Sequence, residues 1–121
     1  ATIEHYLASL AGPVGAAIEA FDPTWVLISA GYDAHRRDPL CGLALTDADF
    51  GLLTTELMGW SRPGRRLLFL EGGYDLEGLR DSVRATLSSS DSVQRSGAAE
   101  LEYAPLSKNL PLVVPRGKAS K

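Results

Sequence analysis

The sequence is poor in cysteine, in histidine and in long apolar runs, and each shortage excludes something. A single cysteine, Cys41, rules out an internal disulfide framework and fits a reducing compartment, so an intracellular, cytoplasmic location is the expectation. No apolar run approaches the ~20 residues that cross a bilayer, and the N-terminus lacks the basic and apolar regions of a signal peptide. No membrane is therefore expected as a partner. Internal repeats are absent as well. The chain begins with alanine, not methionine, which leaves open that it is processed or that it is a piece of something longer.

What is there suffices for one small domain. Hydrophobic residues make up 45% of 121, enough for a core. The formal net charge of −3 hides a split: residues 1–90 carry 7 basic and 12 acidic groups, and residues 91–121 carry 5 and 3. An acidic body argues against direct contact with nucleic acid.

Two stretches organise the chain. WVLISAGYDAHRRDPL, residues 25–40, opens as a short buried strand that breaks at Gly31 and continues into a polar loop holding Asp33, His35 and Asp38. RLLFLEGGYDLEG, residues 66–78, repeats the design: an apolar strand, a glycine pair, then Tyr74 and Asp75 at a helix start. Ligands in open α/β sheets bind at the carboxyl ends of strands, which is where both loops fall.

Around them the periodicity predicts helices. Ile3, Tyr6, Leu7 and Leu10 share one helical face, and Val14, Ala17, Ile18 and Phe21 another, with a kink or a break at Gly12-Pro13. Thr46 with Asp49 three residues on reads as a capping-box variant opening a helix whose stripe is Phe50, Leu53, Leu57 and Met58. A further helix starts near Asp75 or Leu76, with Leu76, Leu79, Val83 and Leu87 spaced for one face. Strand, helix, strand, helix implies a parallel pair, and since parallel sheets bury both faces, two strands imply a wider sheet. From Ser88 the composition turns small, polar and weakly basic. Residues 89–121 read as a flexible tail, in which Leu110 to Val114 either stays solvated, docks on a partner or adds to a sheet edge.

The residues leave alternatives open. Asp33 suits a metal ligand, and from spacing alone rather more an Asx turn bonded to amides two residues on. His35 reads as a supporting group behind that ligand or as a surface residue, and Asp38, before Pro39, as a turn carboxylate holding backbone amides. Tyr74, exposed by the glycines before it, suits a phenol donating to an oxyanion or an aromatic residue packing over a helix start. The amides of residues 72–76 form a third possibility, an anion cradle. Against it, GGYDLEG matches neither nucleotide-binding glycine spacing, and Glu71 and Asp75 would repel phosphate. Arg36 and Arg37 read as a solvated rim, and Cys41 as a buried small residue.

In combination, LISAGYDAHRRDPLCGL, then a helix, a strand and LEGGYDLEGL, resembles the C-terminal part of the zinc-dependent histone deacetylases, closest to class II-like bacterial deacetylases and acetylpolyamine or acetoin-utilisation amidohydrolases. The resemblance covers roughly residues 3–88. It implies the C-terminal part of an open, parallel-sheet, three-layer α/β fold of the arginase/deacetylase type. It also implies hydrolysis of acetyl-lysine or a related acetylated amine by metal-activated water. By position, Asp33 matches an aspartate ligand of the catalytic zinc, Tyr74 the tyrosine that assists the carbonyl and oxyanion, Gly72 and Gly73 glycines of the acyl-lysine channel, and Leu40 a channel-wall residue. An apolar Leu40 suits an acyl-lysine stem better than a polycationic amine.

The departures carry equal weight. An Asp-x-His pair and a histidine pair acting as base are absent, and His5 is the only other histidine. One carboxylate does not hold catalytic zinc, since such sites use three protein ligands. The expectation is a deacetylase segment, inactive alone, whose site is completed by a missing N-terminal part of the same domain. The alternative is a diverged, non-catalytic remnant acting as an interaction module. A nucleotide-binding domain fails on loop charge and glycine spacing.

Overall fold

The computed structural model describes residues 1–96, 104–106 and 110–112, with side chains through residue 93. Helix α1 (Ile3–Ser9) starts at Thr2, whose amide and hydroxyl meet the His5 Nδ1 at 3.4 and 3.0 Å. His5 is thus occupied in capping. The expected interruption is a π-helical turn over Leu10–Val14, in which Gly12 leaves helical geometry and Pro13 lacks an amide, before α2 (Gly15–Phe21) resumes. Asp22 ends α2 in the left-handed region, φ 47°, ahead of Pro23.

Strands β1 (Val26–Ala30) and β2 (Arg66–Leu70) pair in parallel, in register from Val26↔Arg66 to Ala30↔Leu70. Between them runs α3 (Asp47–Gly59), opened by the expected box: Thr46 N donates to Asp49 Oδ2 at 2.8 Å and Asp49 N to Thr46 Oγ1 at 3.4 Å. Helix α4 (Leu76–Ser96) follows β2. It continues eight residues beyond the boundary expected at 88. The expected tail also contains an antiparallel pair, β3 (Ala104–Leu106) with β4 (Leu110–Leu112), separate from the β1–β2 sheet.

The core sits under the loop that leaves β1. Tyr32, Leu45 and Phe50 are buried together, with Ile3, Tyr6, Leu53, Leu79 and Val83 around them. Tyr32 packs edge-on against Phe50, ring centroids 5.0 Å apart, and its hydroxyl reaches the Thr86 Oγ1 at 3.1 Å, so its polar end is satisfied where it is buried. One expectation for α4 is corrected. Its buried side is Gly78, Ser82 and Thr86, whereas Leu76 and Leu87 are exposed. At Gly78 the neighbour is His35, and further along α4 the close neighbour is α3: a Cβ on Gly51 would stand 3.1 Å from Ser89 Oγ and 3.6 Å from Ala85 Cβ.

Side chains alternate across the sheet. Val26, Ile28 and Leu68 are partly covered, while Leu27, Leu67 and Phe69 on the opposite face are exposed.

Candidate active site

Two loops meet at the carboxyl end of the sheet because the parallel ladder continues past the strands. Glu71 N donates to Ala30 O at 3.0 Å and Tyr32 N to Gly72 O at 2.8 Å. This brings Asp33 against Gly72, in the loop that continues into Gly73 and Tyr74. A Cβ on Gly72 would lie 3.0 Å from Asp33 Oδ2, and one on Gly31 3.3 Å from Oδ1, so glycines on both sides make the space that the carboxylate fills. Gly73 has φ +133°, and a Cβ there would stand 3.2 Å from Tyr32 Cβ.

Asp33 is half-buried and accepts no hydrogen bond from the described residues, so the Asx turn left open by the sequence does not form. Asp38 is the turn carboxylate. Its Oδ1 accepts from Leu40 N at 2.8 Å and Cys41 N at 3.3 Å, and its Oδ2 accepts from Tyr74 N at 2.8 Å, across the gap between the loops. Burial raises the Asp38 pKa, but the three amides and the nearby His35 outweigh it and hold the carboxyl below its ordinary range.

His35 is buried, at 3% exposure, which removes the surface reading. Its Nδ1 accepts from Arg37 N at 3.2 Å, and its ring stacks on Phe50 at 6.4 Å. The first turn of α4 presses against it: a Cβ on Gly78 would stand 2.7 Å from His35 Nδ1. Asp75 caps α4, accepting from Gly78 N at 2.6 Å, and pairs with Arg37 at 3.2 Å. Arg37, read as part of a solvated rim, is exposed and also reaches Asp75, Glu77 and Asp81. Cys41 is exposed rather than buried, because its loop turns outward after Asp38.

Tyr74 and Leu40 stand 60% and 72% exposed on the two loops. The phenol makes no hydrogen bond within the described residues. The site thus presents an unpaired carboxylate set against Gly31 and Gly72, and an available phenol two residues after Gly72.

The family model for the histone deacetylase domain matches residues 1–90. The chain belongs to the histone deacetylase family. It is 45% identical over 80 residues to rice "Histone deacetylase 10, chloroplastic", covering 60% of this chain and 17% of the relative. The crystal structure of the HDA15 HD domain superposes with TM-score 0.66 at 35% identity, over 71% of this chain and 24% of that one. The histone deacetylase Clr3 gives TM-score 0.68 at 31% identity, over 74% and 15%. The α/β fold with a parallel sheet is therefore that of a histone deacetylase domain, and the chain spans under a quarter of each relative's length.

For histone deacetylases as a family a metal cofactor is implied. Asp33 fits such a metal as one hard oxygen ligand: its oxygens lack donors and glycines keep the space around them open. It does not fit alone. Among the described residues no three His, Cys, Asp or Glu side chains could share an ion. No described helix is long and apolar enough to cross a membrane.

The sequence reading missed three features of the site: the bond from Tyr74 to Asp38, the packing of His35 on Gly78, and the ion pairs of Arg37. Each joins residues at least 36 positions apart, where no local pattern signals contact.

Proposed function

We propose that the chain supplies one side of a zinc-dependent deacetylase site that hydrolyses acetyl-lysine or a related acetylated amine. The observation that carries the reading is the unpaired Asp33 carboxylate, set against Gly72 two residues before an exposed tyrosine. Asp33 would hold zinc through a carboxylate oxygen. Bound with a full ligand set, the metal supplies Lewis-acid polarisation and an activated water. Tyr74 would donate its phenolic hydrogen to the acyl carbonyl oxygen, and more strongly to the oxyanion that replaces it. Gly72 and Gly73 leave backbone alone along the channel, and the exposed Leu40 offers an apolar wall to a methylene stem.

On this reading the other ligands and the base come from polypeptide outside residues 1–121, and the isolated chain hydrolyses nothing. The test is to read the coding sequence upstream of Ala1, express the whole open reading frame and assay an acetyl-lysine peptide. An extension carrying an Asp-x-His and a histidine pair, with chelator-sensitive hydrolysis cut by about 10²-fold or more in Tyr74→Phe, is the expected result. A true start at Ala1 and no hydrolysis would overturn it in favour of the non-catalytic module. That second reading draws on the exposed sheet face of Leu27, Leu67 and Phe69, which calls for a cover. Asp33, the glycine pair and Tyr74, kept side by side, weigh against it. Cell fractionation decides the compartment: one exposed cysteine fits the reducing cytoplasm, while the rice relative is named chloroplastic.

A further inference from the structure

We propose that Asp38 is a positioning residue for Tyr74, one buried carboxylate that fixes the backbone of the phenol and the channel wall at Leu40 together. The inference rests on the reading of Tyr74 as the hydroxyl that assists the acyl oxygen.

Three observations carry it. Asp38 divides its two oxygens between loops: Oδ1 takes the amides of Leu40 and Cys41, and Oδ2 takes the amide of Tyr74. It is 7% exposed, so water competes poorly for these bonds, and charge-assisted bonds in such a place are strong. Gly72 and Asp75 on either side are held by Tyr32 N and by the α4 cap, but Tyr74 itself has no other hydrogen bond among the described residues. Its ring is exposed and makes no other hydrogen bond within the described residues, and it follows Gly72-Gly73, the most permissive backbone in the loop. The neighbouring Arg37–Asp75 pair is partly exposed and holds the loops weakly by comparison. Without Asp38, the tyrosine backbone has lost its anchor while Asp33 and the strands stay in place. A misplacement of about 1 Å at a reacting group costs on the order of 100-fold in rate.

The test has a physical and a kinetic arm. In the 121-residue chain, amide hydrogen exchange is followed by NMR for Tyr74 and for Tyr32, whose amide bonds Gly72 O in the same loop pair. Asp38→Ala should lower protection at Tyr74 by about tenfold or more, the size of one charge-assisted hydrogen bond, and leave Tyr32 unchanged. If the alanine variant does not fold, Asp38→Asn serves: with one acceptor oxygen left, at least one of the Tyr74, Leu40 and Cys41 amides loses its partner. Wild-type protection at all three amides in a folded variant would overturn the proposal. In the whole open-reading-frame product, Asp38→Ala should lower kcat by about 100-fold with KM little changed, and adding Tyr74→Phe should cost nothing further. Losses that multiply would mean that Asp38 does not act through Tyr74. A wild-type product without deacetylase activity would sink the proposed function instead, and the exchange arm would still decide the clamp.

Discussion

The carboxyl end of the β1–β2 sheet and its open face are built in opposite ways. At the end, Asp38 ties Leu40 and Cys41 to Tyr74, His35 is wedged between Phe50 and Gly78, and Arg37 reaches three acids of the α4 region. On the face, Leu27 is 63% exposed, and Leu67 and Phe69 are 48% exposed. Asp38, His35 and Arg37 at the end find their partners inside this chain, while the Asp33 carboxylate and the Tyr74 phenol stay free of them among the described residues. The apolar residues on the face find none among the described residues, although parallel sheets normally bury both sides. The described residues thus tie the two loops together at the end of the sheet and leave its face open.

The contrast breaks most sharply at Phe50. Phe50→Ala removes the ring that both Tyr32 and His35 pack against and should cost about 3–5 kcal/mol in urea denaturation, with the loop order lost alongside. A loss below 1 kcal/mol would mean that the end is not organised by this core.

Gly73→Ala probes the same end through the backbone. At φ +133° a side chain is strained, and its Cβ would press on Leu79 and Tyr32, so about 1–3 kcal/mol should be lost. Unchanged stability would show that the loop can reshape freely.

Acid sharpens the comparison without mutation. The native Asp38 pKa lies below its ordinary value of 3.8, so the clamp contributes fully above that pH and is lost as pH falls through the lower native value. The Tyr74 amide shift should hold steady down to about pH 4, near the ordinary carboxylate pKa, and move only in more acid solution; Asp38→Asn should flatten that response. A midpoint above the ordinary value would contradict the geometry.

The open face should give the smallest response. Phe69→Gln is expected to change stability of the isolated chain by no more than about 0.5 kcal/mol, and to reduce binding of a hydrophobic dye. A loss of 2 kcal/mol or more would show that the face is covered in solution.

What the residues themselves declared was local. The capping box at Thr46 and Asp49, the break at Gly12-Pro13 and the amides of Leu40 and Cys41 on Asp38 all lie within four positions, where turn and cap chemistry acts directly. The strand–glycine–acid and strand–glycine–tyrosine patterns likewise placed Asp33 and Tyr74 at strand ends. The helix face was harder to read: Leu79 and Val83 pack on the core as spaced, yet only the tertiary contacts, His35 on Gly78 and Tyr32 on Thr86, show that α4 buries small residues while Leu76 and Leu87 stay exposed. Cys41, read as buried, is exposed, and of the two readings of His35 burial leaves the supporting one, since burial in a loop depends on which way it folds back, and here Arg36 N bonds Leu45 O at 2.7 Å and draws His35 under. By itself, then, the amino-acid pattern placed α1 to α4, β1 and β2 in their order and put Asp33 and Tyr74 after the two strands, but not the β3–β4 pair or the reach of α4 to Ser96. The tertiary structure alone decided that Asp38 holds Tyr74, because that bond spans 36 positions and exists only through the register that sets Ala30 beside Leu70.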